Sequence, residues 1–172
     1  IINAQEMKVM AGGNIVLDGA NRVDSVDLTT TSGSVSYHTA NPNSTRIGVN
    51  ATGNISVTGD AGSTSIQLVE LRTTGTSNVT VAAQGQILEG DWAGNSDVGV
   101  ADVVTGSGTI TLSSVVGTPV AGSLAISADV ETTGTVSASV AGGPYGSIGI
   151  RDVGASAVSA VNINASAATL EG

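Results

Sequence analysis

Three decamers decide the reading of this chain: AGGNIVLDGA at 11–20, TSGSVSYHTA at 31–40 and ATGNISVTGD at 51–60. Each carries a glycine (Gly13, Gly33, Gly53), then a small polar residue, a β-branched residue, a variable one and another apolar one. The two apolar positions are two apart. In an extended backbone they therefore share one face, while the residue between them faces away. Related units recur as GTITL at 108–112, GSLAI at 122–126, GTVSA at 134–138 and GSIGI at 146–150. Between them lie strand-like segments with less glycine: VDL at 26–28, IGV at 47–49, IQL at 66–68, VTV at 79–81 and VGV at 98–100.

The spacing separates two architectures. Gly13, Gly33 and Gly53 open the first three units at one constant interval, and Val26, Ile47 and Ile66 follow at nearly the same interval. Antiparallel sandwiches and barrels have no reason to repeat at a fixed interval. A parallel solenoid does, because equivalent residues must stack from coil to coil. The expectation is an all-β parallel β-helix (β-solenoid) with coils of about 20–24 residues and two strands per coil, forming one domain over residues 1–172. About eight such coils at ~4.8 Å per step would make a rod ~35–40 Å long. Inward columns of Ile, Val and Leu would supply the core, and Ser, Thr, Asn and Asp the outer surface. The uncapped pattern at both ends is read as that of a segment of a longer repeat protein, or of a subunit whose ends pair with neighbours.

Composition supports this architecture and removes several functions. Among 172 residues there are 24 Gly, 3 Pro, 3 aromatics, no Phe and no Cys. Val, Ile and Thr favour extended backbone, and no stretch keeps a helical apolar period between caps. The Ala-rich stretch 155–168 interleaves Ser and β-branched residues and is read as strand. Five cations against 14 acids give a net charge of −9, which leaves no basic patch for nucleic acid. Without cysteine there is no zinc ribbon, disulfide framework or thiol chemistry. No apolar run approaches the ~18 residues that a membrane-spanning helix needs, so membrane insertion is not expected. A mean hydropathy of +0.28 with 11% charged residues argues against disorder.

The units AGGNIVLDGA, TSGSVSYHTA, ATGNISVTGD and GSGTITLSS resemble the repeats of filamentous-haemagglutinin-like adhesins of two-partner secretion and related bacterial β-strand-repeat surface proteins. The likeness is clearest over 11–81 and 105–150. It implies export, a long right-handed β-helix, and a place on the bacterial cell surface or outside the cell. It also implies a structural or adhesive role without catalysis. The partner expected with it is a glycan or a host or neighbouring cell surface; the uncapped ends add further copies joined through the solenoid ends.

Recognition is expected where the repeat breaks. EGDWAGNSD at 89–97 holds the single tryptophan, Trp92, with Asp91, Asn95 and Asp97. The simplest reading is a longer corner whose indole covers a coil edge. Such a loop on a rigid rod is also where binding concentrates: the indole suits a sugar ring, and the carboxylates are the oxygen ligands that Ca²⁺ takes. The loop matches no calcium-loop pattern, and no cofactor is expected. The second break is 38–45, after the single histidine, His38. A Ser–His–Asp site would need convergence that spacing cannot show, so His38 is read as a surface histidine. Arg22, Arg46 and Arg72, at steps of 24 and 26, are expected to stack along one corner and pair with Asp24, Asp27, Asp60 or Glu70. Threonines do not recur in the TxT register that an ice-binding face requires. A carbohydrate-active enzyme on the same fold would want acids and bases clustered in one groove, and none is evident. Five N-x-S/T sequons, at Asn43, Asn50, Asn54, Asn78 and Asn164, are near chance in so Asn- and Ser/Thr-rich a chain.

Overall fold

The computed structural model describes residues 1–61, 65–90, 100–115, 124–141, 147–164 and, for backbone alone, 167–171. Among them are fifteen strands and no helix. They are β1 (Asn3–Ala11), β2 (Ile15–Thr30), β3 (Val35–Thr39), β4 (Thr45–Asn50), β5 (Ile55–Gly59), β6 (Ser65–Arg72), β7 (Val79–Ala83), β8 (Gln86–Glu89), β9 (Val103–Val104), β10 (Ile110–Ser114), β11 (Leu124–Glu131), β12 (Thr135–Val140), β13 (Ser147–Asp152), β14 (Ala160–Asn164) and β15 (Ala167–Glu171).

Every pairing is parallel, and the chain is a β-solenoid. The first ladder runs from the front half of β2 through β3, β5, β7, β10 and β12 to β14. The second runs from β1 through the rear half of β2, then β4, β6, β8, β11 and β13, to β15, with β9 bridging β6 and β11. Each turn gives one strand to each ladder, except that the turn from Val79 to Ile110 gives the second ladder both β8 and β9, and the long β2 belongs to both ladders. In the first ladder Ile15, Val35, Ile55, Val79, Ile110, Val136 and Val161 stand in one register. The turns from Ile15 to Val35 and from Val35 to Ile55 are the shortest in sequence, and the turn from Val79 to Ile110 is the longest. The later turns take more of the chain, so the full turns are fewer than the eight coils expected; the seven strands of the first ladder span about 29 Å and the eight of the second about 34 Å at ~4.8 Å per step.

The alternating pattern fills the centre. Burial in β3, β5, β7 and β10 falls on alternate residues. Leu28, Val49, Leu71, Val103 and Val130 form one buried column of the second ladder, and Ile66, Ile87, Ile126 and Ile148 another. These columns join in one apolar cluster from Met7 to Ile150. The register corrects one expected alignment. Ile47 stands opposite Leu68, not Ile66, and a shift follows between Ile47 and Gly48. The strand expected at 98–100 is not found at Val100, while 98 and 99 lie outside the described residues; the local strand is β9. Gly-led units also do not mark one ladder, since 122–126 and 146–150 feed the second.

Polar ladders close the corners. Before the first ladder, Asn14 Oδ1 accepts from Ser34 N, Ser34 Oγ from Asn54 N, Asn54 Oδ1 from Asn78 N, and Asn78 Oδ1 from Thr109 N, at 2.8–3.1 Å. After the second ladder, buried Thr30, Thr73 and Thr105 donate their hydroxyls to the carbonyls of Gly13, Gly53 and Ser77 at 2.5–2.6 Å. These bonds satisfy backbone groups that leave the ladder at each bend. The glycines there are required chiefly by close approach. A Cβ on Gly108 would overlap the Ser77 carbonyl, and one on Gly134 the Gly108 carbonyl.

Candidate functional site

Charge is divided between the two ladders. Strands β3, β5, β7, β10, β12 and β14 contain no Asp, Glu, Lys or Arg. Their outward positions run Ser36, Ser56, Thr80, Thr111, Ser137 and Asn162 in one register. Hydroxyls therefore do recur at one register, although threonine alone does not. The ionised groups of the strands gather on the second ladder, and Asp18 in the front half of β2 is the exception.

Asp91, Trp92, Asn95 and Asp97 lie outside the described residues, and so does the calcium expectation placed on them. His38 is described, half-buried on the outer side of β3. Its Nε2 is 2.9 Å from Asp60 Oδ1, and its Nδ1 is 3.3 Å from the Asp18 carbonyl oxygen. The nearby Ser36 hydroxyl donates to the Asp18 carboxylate instead. Both ring nitrogens thus face acceptors on neighbouring turns, and among the described residues neither meets a serine hydroxyl. A nucleophile–base pair requires that contact, so the three residues act as a clasp across turns.

The expected arginine column is not formed. Arg22 stands opposite Asn3, Arg46 opposite Ser25 and Gln67, and Arg72 opposite Asn50 and Val104. Arg72 pairs along its own strand with Glu70 at 2.7 Å, and Lys8 pairs with Asp27 at 2.7 Å. The Asp27 carboxylate raises the Lys8 ammonium pKa through a hydrogen bond and through charge. At so exposed a pair the effect on stability is small. Among the described residues, neither Arg22 nor Arg46 meets a carboxylate.

Two polar constellations were not visible in the sequence. The first joins Glu89, Asp102 and Asp129, whose carboxylate oxygens lie within 4.8 Å of one another. Asp129 is 4% exposed and binds Arg151 through both oxygens, Nε at 2.9 Å. Asp129 N donates to Asp102 Oδ2 at 2.8 Å, and Ser127 Oγ to Glu89 Oε1 at 2.7 Å. The bidentate guanidinium and these donors offset the gathered negative charge, and the cluster ties β8, β11 and β13 together.

The second is a hollow of about 370 Å³ on the second ladder, at the 38–45 break. Asp24, Ser25, Asn43, Ser44, Arg46 and Gln67 line it. Its groups are held from behind. Asn41, 3% exposed, donates through Nδ2 to the Val23 carbonyl at 3.1 Å and to Asp24 Oδ1 at 2.9 Å, and its Oδ1 accepts from Asn43 N at 3.1 Å. Gln67 Oε1 accepts from Arg46 Nε at 3.1 Å, and Ser44 Oγ from Ser65 Oγ at 2.7 Å. The arrangement comes from register: Ser25, Arg46 and Gln67 are successive rungs. The sequence marked the break but could not place strands β2 and β6 beside it.

Compared with known protein families, curated proteins and solved structures, the chain matches none of them.

Proposed function

We propose that this chain is a non-catalytic, rod-forming segment of an extracellular bacterial surface protein, with a structural and adhesive role. The observation that carries the reading is the unbroken inner register from Ile15 to Val136, buried at every turn. Such a stack resists bending because each turn is held by its neighbours through two parallel ladders and the corner bonds between them. The repeat style resembling surface adhesins supports an extracellular place.

Negative-stain microscopy with light scattering on the purified chain tests the mechanical part. Short, straight, monomeric rods are expected. Long uniform fibres would replace this reading with its alternative, a subunit that stacks end to end into a filament or sheath. Antibodies raised against the chain should label intact, unpermeabilised source cells. Labelling only after permeabilisation would overturn the extracellular placement.

A further inference from the structure

We propose that the hollow between Asp24, Arg46 and Gln67 binds a neutral pyranose residue through vicinal hydroxyls. This goes beyond the rod reading and stands on the hollow alone.

The hollow of about 370 Å³ lies within the ~300–1,000 Å³ range of small-ligand sites. Its lining has no aliphatic or aromatic side chain, so its ligand must be recognised by hydrogen bonds. Arg46 spends Nε on Gln67, which fixes the guanidinium plane. Its two terminal nitrogens have no carboxylate partner among the described residues, and a planar fork of this kind addresses two adjacent oxygens at once. Asp24 spends Oδ1 on the buried Asn41, and its other oxygen has no partner among the described residues. The site therefore sets strong donors beside a strong acceptor. A sugar hydroxyl is the group that uses both, because it accepts from the guanidinium and donates to the carboxylate.

Other ligands fit less well. Phosphate or a dicarboxylate would meet Asp24, and a polyanionic glycan would meet a chain of net charge −9. A cationic ligand would meet Arg46. Asn43 and Ser44 lie on the corner that departs from the repeat, where a side chain can change without altering the stack.

The test is a titration of the isotope-labelled chain with methyl α-mannopyranoside, methyl β-galactopyranoside and methyl β-glucopyranoside, with sodium glucuronate as the acidic comparison. The readout is the magnetic resonance signals of the Asn43 and Gln67 side-chain amides and of Arg46 Nε–H. At least one neutral glycoside should shift these signals in the millimolar range. Arg46→Ala and Asp24→Asn should each weaken that binding tenfold or more, while Thr111→Ala on the other ladder leaves it unchanged. Asp24→Asn keeps the side chain's shape, and an unaltered amide spectrum elsewhere confirms its fold. The proposal is overturned if none of the three glycosides moves these signals, or if the shifts survive both substitutions. It is also overturned if glucuronate binds more tightly than the neutral glycosides, which would make the hollow an anion site. None of these outcomes bears on rod shape or surface labelling.

Discussion

Tyr37 and His38 are neighbours with opposite fates, and the parity of one strand decides them. Tyr37 faces inward, 1% exposed, and its hydroxyl forms no hydrogen bond among the described residues. Burial pushes its phenol up to about 12. Below pH 10 the folded and unfolded chains both hold this proton, so stability is unaffected. Between pH 10 and about 12 the unfolded chain releases it more readily, and stability falls as pH rises. The full loss is about 3 kcal/mol. Tyr37→Phe should remove that alkaline loss. At neutral pH it should be neutral or stabilising by about 1 kcal/mol, since it deletes an unsatisfied buried hydroxyl. Thermal melts of both forms across this pH range check the prediction. A parent and variant that lose stability equally in alkali would refute it. The alternation in GSVSY already placed Tyr37 on the inner face. That His38 spans from the Asp18 carbonyl to Asp60 was not legible, because its partners belong to the turns before and after.

At the scale of strands and corners, glycine, asparagine and threonine do separate tasks. Gly108 and Gly134 admit the backbone of the preceding turn. Gly75 has open space but a φ of +64°, which a side chain resists. Gly12 has neither constraint. Gly108→Ala should therefore cost about 1–3 kcal/mol or more through overpacking, whereas Gly12→Ala should stay within about 0.5 kcal/mol. Chemical denaturation of the two variants distinguishes them, and equal midpoints would refute the close-approach account. The period-two pattern and the constant interval from Gly13 to Gly33 to Gly53 were enough to read the strands and their parallel stacking. They could not supply the shift between Ile47 and Gly48 or the pairing of Ile47 with Leu68. Both Ile66 and Leu68 are apolar and two positions apart, so either choice keeps the same face inward. The hollow was illegible for a related reason: Ser25, Arg46 and Gln67 come from three different turns and meet only once the register is set.

At the scale of the molecule, the buried apolar residues among those described join in one cluster from Met7 to Ile150. A charge placed in it cannot be confined to one turn. Ile55→Asp puts an unpaired carboxylate between Val35 and Val79 and should cost several kcal/mol. Hydrogen exchange should show protection lost in β3, β5 and β7 together, with strands farther along the rod less affected. A variant that melts like its parent would mean that Ile55 does not face inward. The division of charge between the ladders adds a transverse asymmetry to the rod: one side hydroxylated, its charge confined among the described residues to Asp18 and the His38–Asp60 contact, the other carrying the Lys8, Arg72 and Arg151 ion pairs, the acidic cluster and the hollow.

The register also makes the pitch independent of what each turn contains. Val35 meets Ile15, and Ile110 meets Val79, across the same single step of the ladder, although far more chain lies between the second pair. The molecule is in this sense a ruler whose graduations stay evenly spaced however much is hung from each mark. Extra sequence at a corner adds girth and leaves reach unchanged, so cargo can be gained or discarded at any rung while every other rung keeps its distance from the base.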